Sequence, residues 1–162
     1  MLKWGVAITW NNQTTEAFEK LKKQLCSAPI LVHLDFSKPF TLFTDASKLG
    51  LGAILSQFDD ENKEHVICYA SWGLYPSEEN YDTTKLECLA MYWAIKHFQH
   101  YLYGKHFKLI TDHNALVGLF NTPQPSGILA RWITFLSEFD FEPKYRPGRI
   151  NNNVNFLSCL GY

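Results

Sequence analysis

The chain has 162 residues, of which 46% are hydrophobic and 15% aromatic, and its formal net charge at pH 7 is −1. This length supports one domain with a sizeable core plus a short appendage, and it leaves little room for two full domains. The near-neutral charge excludes a global positive field that would attract nucleic acid, so any such binding must come from a local patch or a neighbouring domain.

Cysteine usage and hydropathy limit the cellular environment. The four cysteines are scattered through apolar stretches, without CxxC spacing and without a histidine at zinc-ligand spacing. We therefore expect reduced core thiols rather than disulfides or a zinc site. The N-terminal stretch has no long apolar region and no small-residue cleavage site, and no run of about 18 apolar residues occurs in the sequence. These features predict an intracellular protein, in the cytoplasm or nucleus, without a membrane partner.

The leading segment, residues 1–38, carries one predicted helix. Thr14 or Thr15 is the candidate N-cap, and apolar residues at three- and four-residue spacing predict an amphipathic helix that runs to about Cys26. Pro29 marks the end of the helical pattern. The main domain is predicted to occupy residues 39–162.

The main domain begins with strand-like sequence. Three such segments, 40–47, 49–58 and 64–72, are separated by short turns, the second of which is acidic. Strands joined by short turns pair with their neighbours in antiparallel fashion. The sequence therefore predicts a three-stranded antiparallel meander.

The hydrophobic period changes after this meander. Apolar residues recur every three or four positions within 76–104, which predicts the longest helix of the chain, and Gly104 can close it at its C-terminus. The later elements are predicted, in order, as a strand at 105–112, a helical turn at 114–120, a helix at 128–139, a strand and turn at 140–148 and a helix at 150–160 that Asn151 could cap. This order predicts an α/β fold in which helices pack on a mixed sheet.

Three acidic residues lie where these elements meet. Asp45 ends the first strand, Asp112 ends the fourth, and Glu87 lies in the first or second turn of the long helix. If the first and fourth strands are parallel neighbours, their carboxyl ends coincide, and the helix brings Glu87 to the same edge. Such carboxylates repel one another by about 1 to 4 kcal/mol per pair at 4 Å, so a cation must compensate. Magnesium or manganese is the expected ion, because both prefer oxygen ligands.

Each of these residues also has a structural explanation. Asp45 could terminate a strand and start a turn, and Glu87 could complement the positive end of the helix dipole. Asp112 could cap a helix that begins at Asn114. Spacing alone leaves both interpretations open.

Seven segments of the sequence form a recognisable ordered set: PFTLFTDAS, GLGAILSQ, ICYAS, EENYDTTKLECLA, HFQHYLYGKHFKLITDHNAL, RWITFLSEFDFEPKYRPG and NNNVNFLS. In this order they resemble the ribonuclease H domain of reverse transcriptases from gypsy-type LTR retrotransposons. The leading ITWNNQTTEAFEKLKKQLCSAPILVHLDFSKPF resembles the end of the connection region that joins the polymerase part to that domain. The resemblance extends over nearly the whole chain.

The resemblance implies a ribonuclease H-like fold with a five-stranded mixed sheet. It also implies hydrolysis of the RNA strand of RNA/DNA hybrids with two Mg²⁺ ions, or with Mn²⁺ in their place. Asp45, Glu87 and Asp112 match three of the four metal-binding carboxylates of the family. The implied partners are the RNA/DNA hybrid and a polymerase domain in cis. The chain lacks the YxDD motif of a polymerase site, so polymerisation is not expected of it.

The fourth carboxylate position differs from the family pattern. Asn155 stands where the family has an aspartate, so the fourth catalytic position carries an amide oxygen without charge. The loss of one negative charge is expected to weaken at least one metal and to slow the reaction. The alternative function is therefore a catalytically inactive ribonuclease H-fold remnant that serves as a nucleic-acid or protein interaction module.

Several cations are candidates for contacts with nucleic acid. Arg146 and Arg149 flank the turn before Asn155 and are the preferred pair, and Lys105 and Arg131 are further candidates. For each of them alone, solvated surface is the structural alternative. His113 follows Asp112 in the sequence TDH, and we interpret it as a packed or hydrogen-bonding residue rather than as a proton shuttle.

Overall fold

A computed structural model describes residues 9–25, 34–114, 127–147, 154 and 157–158 of the chain. The chain divides into two compact units, Met1–Val32 and His33–Tyr162. The proposed boundary between a connector and a main domain after residue 38 stays a prediction. Within the described ranges, no helix combines the length and the apolar character needed to cross a membrane.

The described part of the first unit contains one helix, α1 (Asn12–Leu25). Asn11 and Thr14 cap it reciprocally: the Thr14 amide donates to Asn11 Oδ1 at 2.9 Å, and the Asn11 amide donates to Thr14 Oγ1 at 2.8 Å. The helix thus begins two to three residues before the predicted cap, because Thr14 is the return partner of Asn11. Trp10 packs edge-on against Phe18, with 5.5 Å between ring centroids.

The second unit is built on a five-stranded sheet. Its strands are β1 (Phe40–Ala46), β2 (Gly50–Phe58), β3 (Glu64–Gly73), β4 (Phe107–Thr111) and β5 (Phe141–Tyr145). They lie in the order β3-β2-β1-β4-β5. The first three strands form an antiparallel meander, whereas β4 is parallel to both β1 and β5. The predicted mixed sheet of five strands, with β1 beside β4, is confirmed.

The main helix is shorter than the predicted helical segment. It forms α2 (Thr83–His97), and a separate turn, α3 (Gln99–Leu102), follows it. The helix begins only after Asp82, because this carboxylate accepts the Lys85 amide at 3.0 Å and thereby caps the first turn. Gly104 adopts a positive φ of 69°, as expected for the residue that ends the helical stretch.

A helix α4 (Ile128–Leu136) follows β4 along the described chain and packs beside α2. Trp132 of α4 stacks on Tyr92 of α2 at 5.9 Å between centroids. The core between the helices and one face of the sheet is formed by apolar residues of all these elements, among them Phe40, Leu42, Leu51, Leu55, Met91, Ile95, Phe107, Leu109 and Leu136. This packing fixes α2 across β1 and β2, so the start of the helix has a defined place on the sheet.

The C-terminal segment packs closely against the start of β2. A Cβ built on Gly52 would lie 2.7 Å from the Val154 carbonyl oxygen and 2.9 Å from the Ser158 nitrogen, so glycine is required for this approach. Val154, Leu157 and Ser158 are helical, in agreement with the predicted C-terminal helix. The predicted cap of that helix, and the helical turn after Asn114, fall outside the described residues.

Candidate metal centre

The three predicted carboxylates meet at one edge of the sheet. Asp45 is the penultimate residue of β1, and Asp112 follows directly after β4, so the parallel pairing of these strands brings their ends together. Glu87 lies in the second turn of α2, which is packed on β1. One carboxylate oxygen of each residue lies within 4.8 Å of the others. The structure therefore places the three side chains in one cluster, as the topology predicted.

Burial distinguishes the members of the cluster. Only 4% of Glu87 and 6% of Asp45 are exposed, whereas Asp112 is half-buried. The pKa of Glu87 is raised to about 9, mainly by burial and to a smaller extent by the charges of Asp45 and Asp112. Burial likewise raises the pKa of Asp45 to about 6, against the lowering effect of a hydrogen bond from Ser158. Without a cation, Glu87 is therefore protonated at neutral pH.

Glu87 is only partly satisfied by protein groups. The Ala46 amide donates a hydrogen bond to its carboxylate, which lowers the pKa and opposes the effect of burial. Its other oxygen, Oε2, is buried and has no hydrogen-bond partner among the described residues. A buried carboxylate oxygen without a partner is costly, because it has lost its water without compensation. Such an oxygen is available to a ligand that supplies positive charge.

Asp45 is held by a serine from the far end of the chain. The Ser158 hydroxyl donates to Asp45 Oδ2, and both residues are buried. Ser47 secures this contact, since its hydroxyl donates to the Ser158 carbonyl oxygen at 2.5 Å. Neither serine was predicted as a site residue, although Ser158 lies within the last of the motifs that carry the resemblance. The pairing spans 113 positions and left no signal in local spacing.

The donor set fits a small divalent cation. All three groups offer carboxylate oxygens, which are the ligands that Mg²⁺ and Mn²⁺ prefer. Opposite ligands of Mg²⁺ at 2.0–2.1 Å stand about 4.2 Å apart, so oxygens within 4.8 Å of one another need only small shifts to share an ion. The buried oxygen of Glu87 without a hydrogen-bond partner is likewise suited to a positively charged ligand.

The predicted basic residues that the structure describes lie in different places. Arg146 follows β5; its amide donates to the Thr111 carbonyl at 2.9 Å, and its guanidinium lies 5.6 Å from the Phe43 ring centre. Lys105 precedes β4 and donates to the Phe36 carbonyl at 3.3 Å, which places it at the opposite edge of the sheet. Arg131 is exposed on α4. Among the predicted cations within the described ranges, Arg146 is therefore the one bonded to a neighbour of Asp112.

Two predicted site residues, Asn155 and Arg149, lie outside the described residues. The described residues of the same segment are Val154, Leu157 and Ser158, and they pack on Gly52 beside the cluster. The role of Asn155 as a fourth position of the site stays a prediction.

The chain is similar in sequence to a domain family of reverse transcriptase and to transposon polyproteins. A family model described as "RNase H-like domain found in reverse transcriptase" matches residues 10–109. The Transposon Tf2-3 and Tf2-4 polyproteins of Schizosaccharomyces pombe are each 41% identical over 164 aligned positions, which cover 99% of this chain. The chain spans 12% of the length of these polyproteins.

The fold is similar to that of solved ribonuclease H structures. A foamy viral protease-reverse transcriptase in complex with dsDNA superposes with a TM-score of 0.60 at 21% identity, over 86% of this chain and 30% of that one. LC11-RNase H1 in complex with an RNA/DNA hybrid gives a TM-score of 0.55 at 13% identity, over 73% of this chain and 92% of that one. At such low identity these likenesses establish the fold alone.

Proposed function

The chain belongs to the RNase H-like domain family found in reverse transcriptase, and from that premise we propose that it hydrolyses the RNA strand of RNA/DNA hybrids. One observation carries the proposal: three carboxylates converge at a sheet edge, and the most buried of them keeps an oxygen without a partner. A site of this kind is poised to bind cations, which phosphodiester hydrolysis requires for charge compensation.

We propose that Asp45, Glu87 and Asp112 hold divalent ions, two Mg²⁺ or Mn²⁺ when the substrate is bound. Such ions activate a water and stabilise the leaving oxygen of a phosphodiester. The chain's own residues supply the negative charge, and the Ser158 hydroxyl orients the Asp45 carboxylate. The Ala46 amide would do the same for Glu87, whose second oxygen would then be available to bind an ion.

Arg146 is the proposed contact for the nucleic-acid backbone. Its amide is hydrogen-bonded to Thr111, the residue before Asp112, and its guanidinium lies over Phe43, two residues before Asp45 on β1. A phosphate bound there would carry the scissile bond toward the carboxylates. Arg149 is proposed as the second contact of this pair. Lys105 and Arg131 are proposed as weaker contacts, because no described contact places either of them beside the cluster.

The relatives are polyproteins, so we propose that this domain acts in cis with a polymerase domain, inside the cell. The substitution at position 155 bears on activity. An amide at this position supplies an oxygen but no charge, so we expect the second ion to bind more weakly than with an aspartate. The unmodified protein is therefore expected to cleave slowly, and Asn155→Asp is expected to accelerate cleavage.

The proposal is tested with a hybrid whose RNA strand is labelled. Cleavage is followed in Mg²⁺ and in Mn²⁺ for the unmodified protein, for Asn155→Asp and for Asp45→Asn as the blank. The same RNA in single-stranded form and in an RNA duplex serves as the substrate control. Cleavage of the hybrid above the blank, strengthened by Asn155→Asp, supports the proposal. If neither the unmodified protein nor Asn155→Asp exceeds the blank, the domain is not a ribonuclease.

A further inference from the structure

His113 and Thr84 join the two elements that carry Asp112 and Glu87. His113 Nε2 is hydrogen-bonded to Thr84 Oγ1 at 3.2 Å. His113 directly follows Asp112, and Thr84 lies one helical turn before Glu87 in the first turn of α2. This side-chain hydrogen bond therefore links the loop that carries Asp112 to the helix that carries Glu87.

Asp112 and His113 form a loop that follows the end of β4, so the sheet ladder does not hold Asp112 in place. The last residue of β4 is Thr111, and its carbonyl accepts the Arg146 amide, which is the final ladder contact described on that side. Past this point the His113 amide donates to Thr111 Oγ1 at 3.2 Å, which bends the chain back on itself. These contacts fix the loop to β4, whereas the His113 ring alone among the described contacts of the loop fixes it to α2.

We propose that His113 and Thr84 are positioning residues that set the separation of the Asp112 and Glu87 carboxylates. The inference rests on the proposed function, in which both carboxylates hold metal. Two ligands on separate elements bind an ion more tightly when their spacing is fixed beforehand, because less conformational entropy is lost on binding. Groups that orient metal ligands typically change metal affinity or activity by 10- to 100-fold when they are removed.

The position of the ring agrees with this role rather than with proton transfer. Its Nε2 is already used by the Thr84 hydroxyl, and the side chain is half-buried. Thr84 is the better residue to substitute, because it lies outside the carboxylate cluster. Thr84→Val removes the hydroxyl and keeps the shape, whereas Thr84→Ser keeps the hydroxyl, and all three residues have similar helix propensity.

The first measurement needs no metal. Hydrogen–deuterium exchange at the His113 amide reports whether the loop is held, and the amide of Leu55 in the centre of the sheet serves as the internal reference. Thr84→Val is expected to speed exchange at His113 several-fold with no change at Leu55. Thr84→Ser is expected to leave both unchanged. Equal exchange at His113 in all three proteins overturns the inference, whatever the metal does.

The second measurement is the apparent affinity for Mn²⁺, taken from the rise in melting temperature during a metal titration. Thr84→Val is expected to weaken affinity about tenfold, and Thr84→Ser is expected to restore it. In a double-mutant cycle, His113→Ala added to Thr84→Val should cost little more than either change alone, because the two side chains act through one bond. Additive losses contradict the pairing. If the melting temperature of the unmodified protein does not rise with Mn²⁺, the proposed function fails. The exchange experiment still tests whether the contact between His113 and Thr84 holds the loop.

Discussion

Ser158 donates a hydrogen bond to Asp45 across 113 positions of the sequence, and both side chains are buried. Since Asp45 lies on β1, this contact ties the C-terminal segment to the strand at the centre of the carboxylate cluster. In the proposed function, the other carboxylate oxygen of Asp45 binds the ion. The end of the chain is thus part of the site, even though the sheet that carries the cluster is completed before it.

Removal of the Ser158 hydroxyl should therefore affect metal binding more than folding. Ser158→Ala is expected to lower the free energy of unfolding by about 1 kcal/mol, which is typical of one lost hydrogen bond. The apparent affinity for Mn²⁺ should fall about tenfold, because one oxygen of Asp45 is no longer oriented. Urea unfolding and a melting-temperature titration with Mn²⁺ measure the two effects.

Ser56→Ala is the matched control for this change. Ser56 is fully buried, and its hydroxyl donates to Glu64 at 2.9 Å, at the end of β2 remote from the cluster. This variant should lose similar stability and keep the Mn²⁺ response. An equal loss of metal affinity in both variants would show that general loosening, rather than the Asp45 contact, is the cause.

Gly52→Ala should displace the C-terminal segment from β2. The added Cβ would come within 3.0 Å of three atoms, Val154 O, Ser158 N and Leu157 Cβ, two of which belong to backbone that cannot rotate away. We expect a loss of about 1 to 3 kcal/mol in the free energy of unfolding, as for other overpacked sites. Gly73→Ala, in β3, meets nothing within 4 Å and should leave stability nearly unchanged. Urea denaturation of the two variants side by side gives the comparison, and equal stability would contradict the close approach.

The fold was predictable because its signals are local. In the strand segments, apolar and polar residues alternate or a short apolar stretch lies between turn residues. The family motifs occur along these segments in the expected order. The caps were less predictable. Asn11 begins α1 and Asp82 begins α2, but several polar residues precede each helix, and only the hydrogen bonds to Thr14 and Lys85 identify the true caps.

The cluster itself followed from topology, since parallel neighbours end at the same edge. The hydrogen bonds that hold Asp45 in the cluster did not follow from topology. Ser47 and Ser158 are ordinary small polar residues in the sequence, and the bond between Ser158 and Asp45 depends on how the C-terminal segment packs on Gly52. The basic character of Lys105 likewise gave no indication that it lies at the far edge of the sheet, and its contact with nucleic acid stays a prediction.

The metal-free protein should lose stability as the pH rises. The pKa of Glu87 is raised on folding from its ordinary value of 4.5 to about 9, so the folded state holds this proton more tightly than the unfolded state. The contribution to stability is therefore fully present below about 4.5 and is lost progressively up to about 9. Asp45 adds a smaller loss between its ordinary value of 3.8 and about 6.

The free energy of unfolding in EDTA, measured from about pH 6 to about pH 9, tests this expectation. Glu87→Gln removes the titrating group at nearly constant volume, so its profile should be flatter than that of the unmodified protein. The difference between the two proteins is the relevant quantity, because it cancels the titration of all other groups. A difference that does not change with pH would show that Glu87 titrates alike in the folded and unfolded states.

Asp45→Asn should raise the stability of the metal-free protein and abolish its stabilisation by metal. At about pH 8 the change removes one buried negative charge from the cluster, while the amide oxygen can still accept the Ser158 hydroxyl. We expect the metal-free protein to gain on the order of 1 kcal/mol, since one repulsive pair is removed. The same change should abolish the stabilisation by Mg²⁺, which for the unmodified protein reaches about 2.7 kcal/mol at a hundredfold excess over Kd. Glu79→Gln, an exposed change of the same kind, should alter neither quantity. A marked loss of metal-free stability in Asp45→Asn would contradict the expected repulsion between the clustered carboxylates.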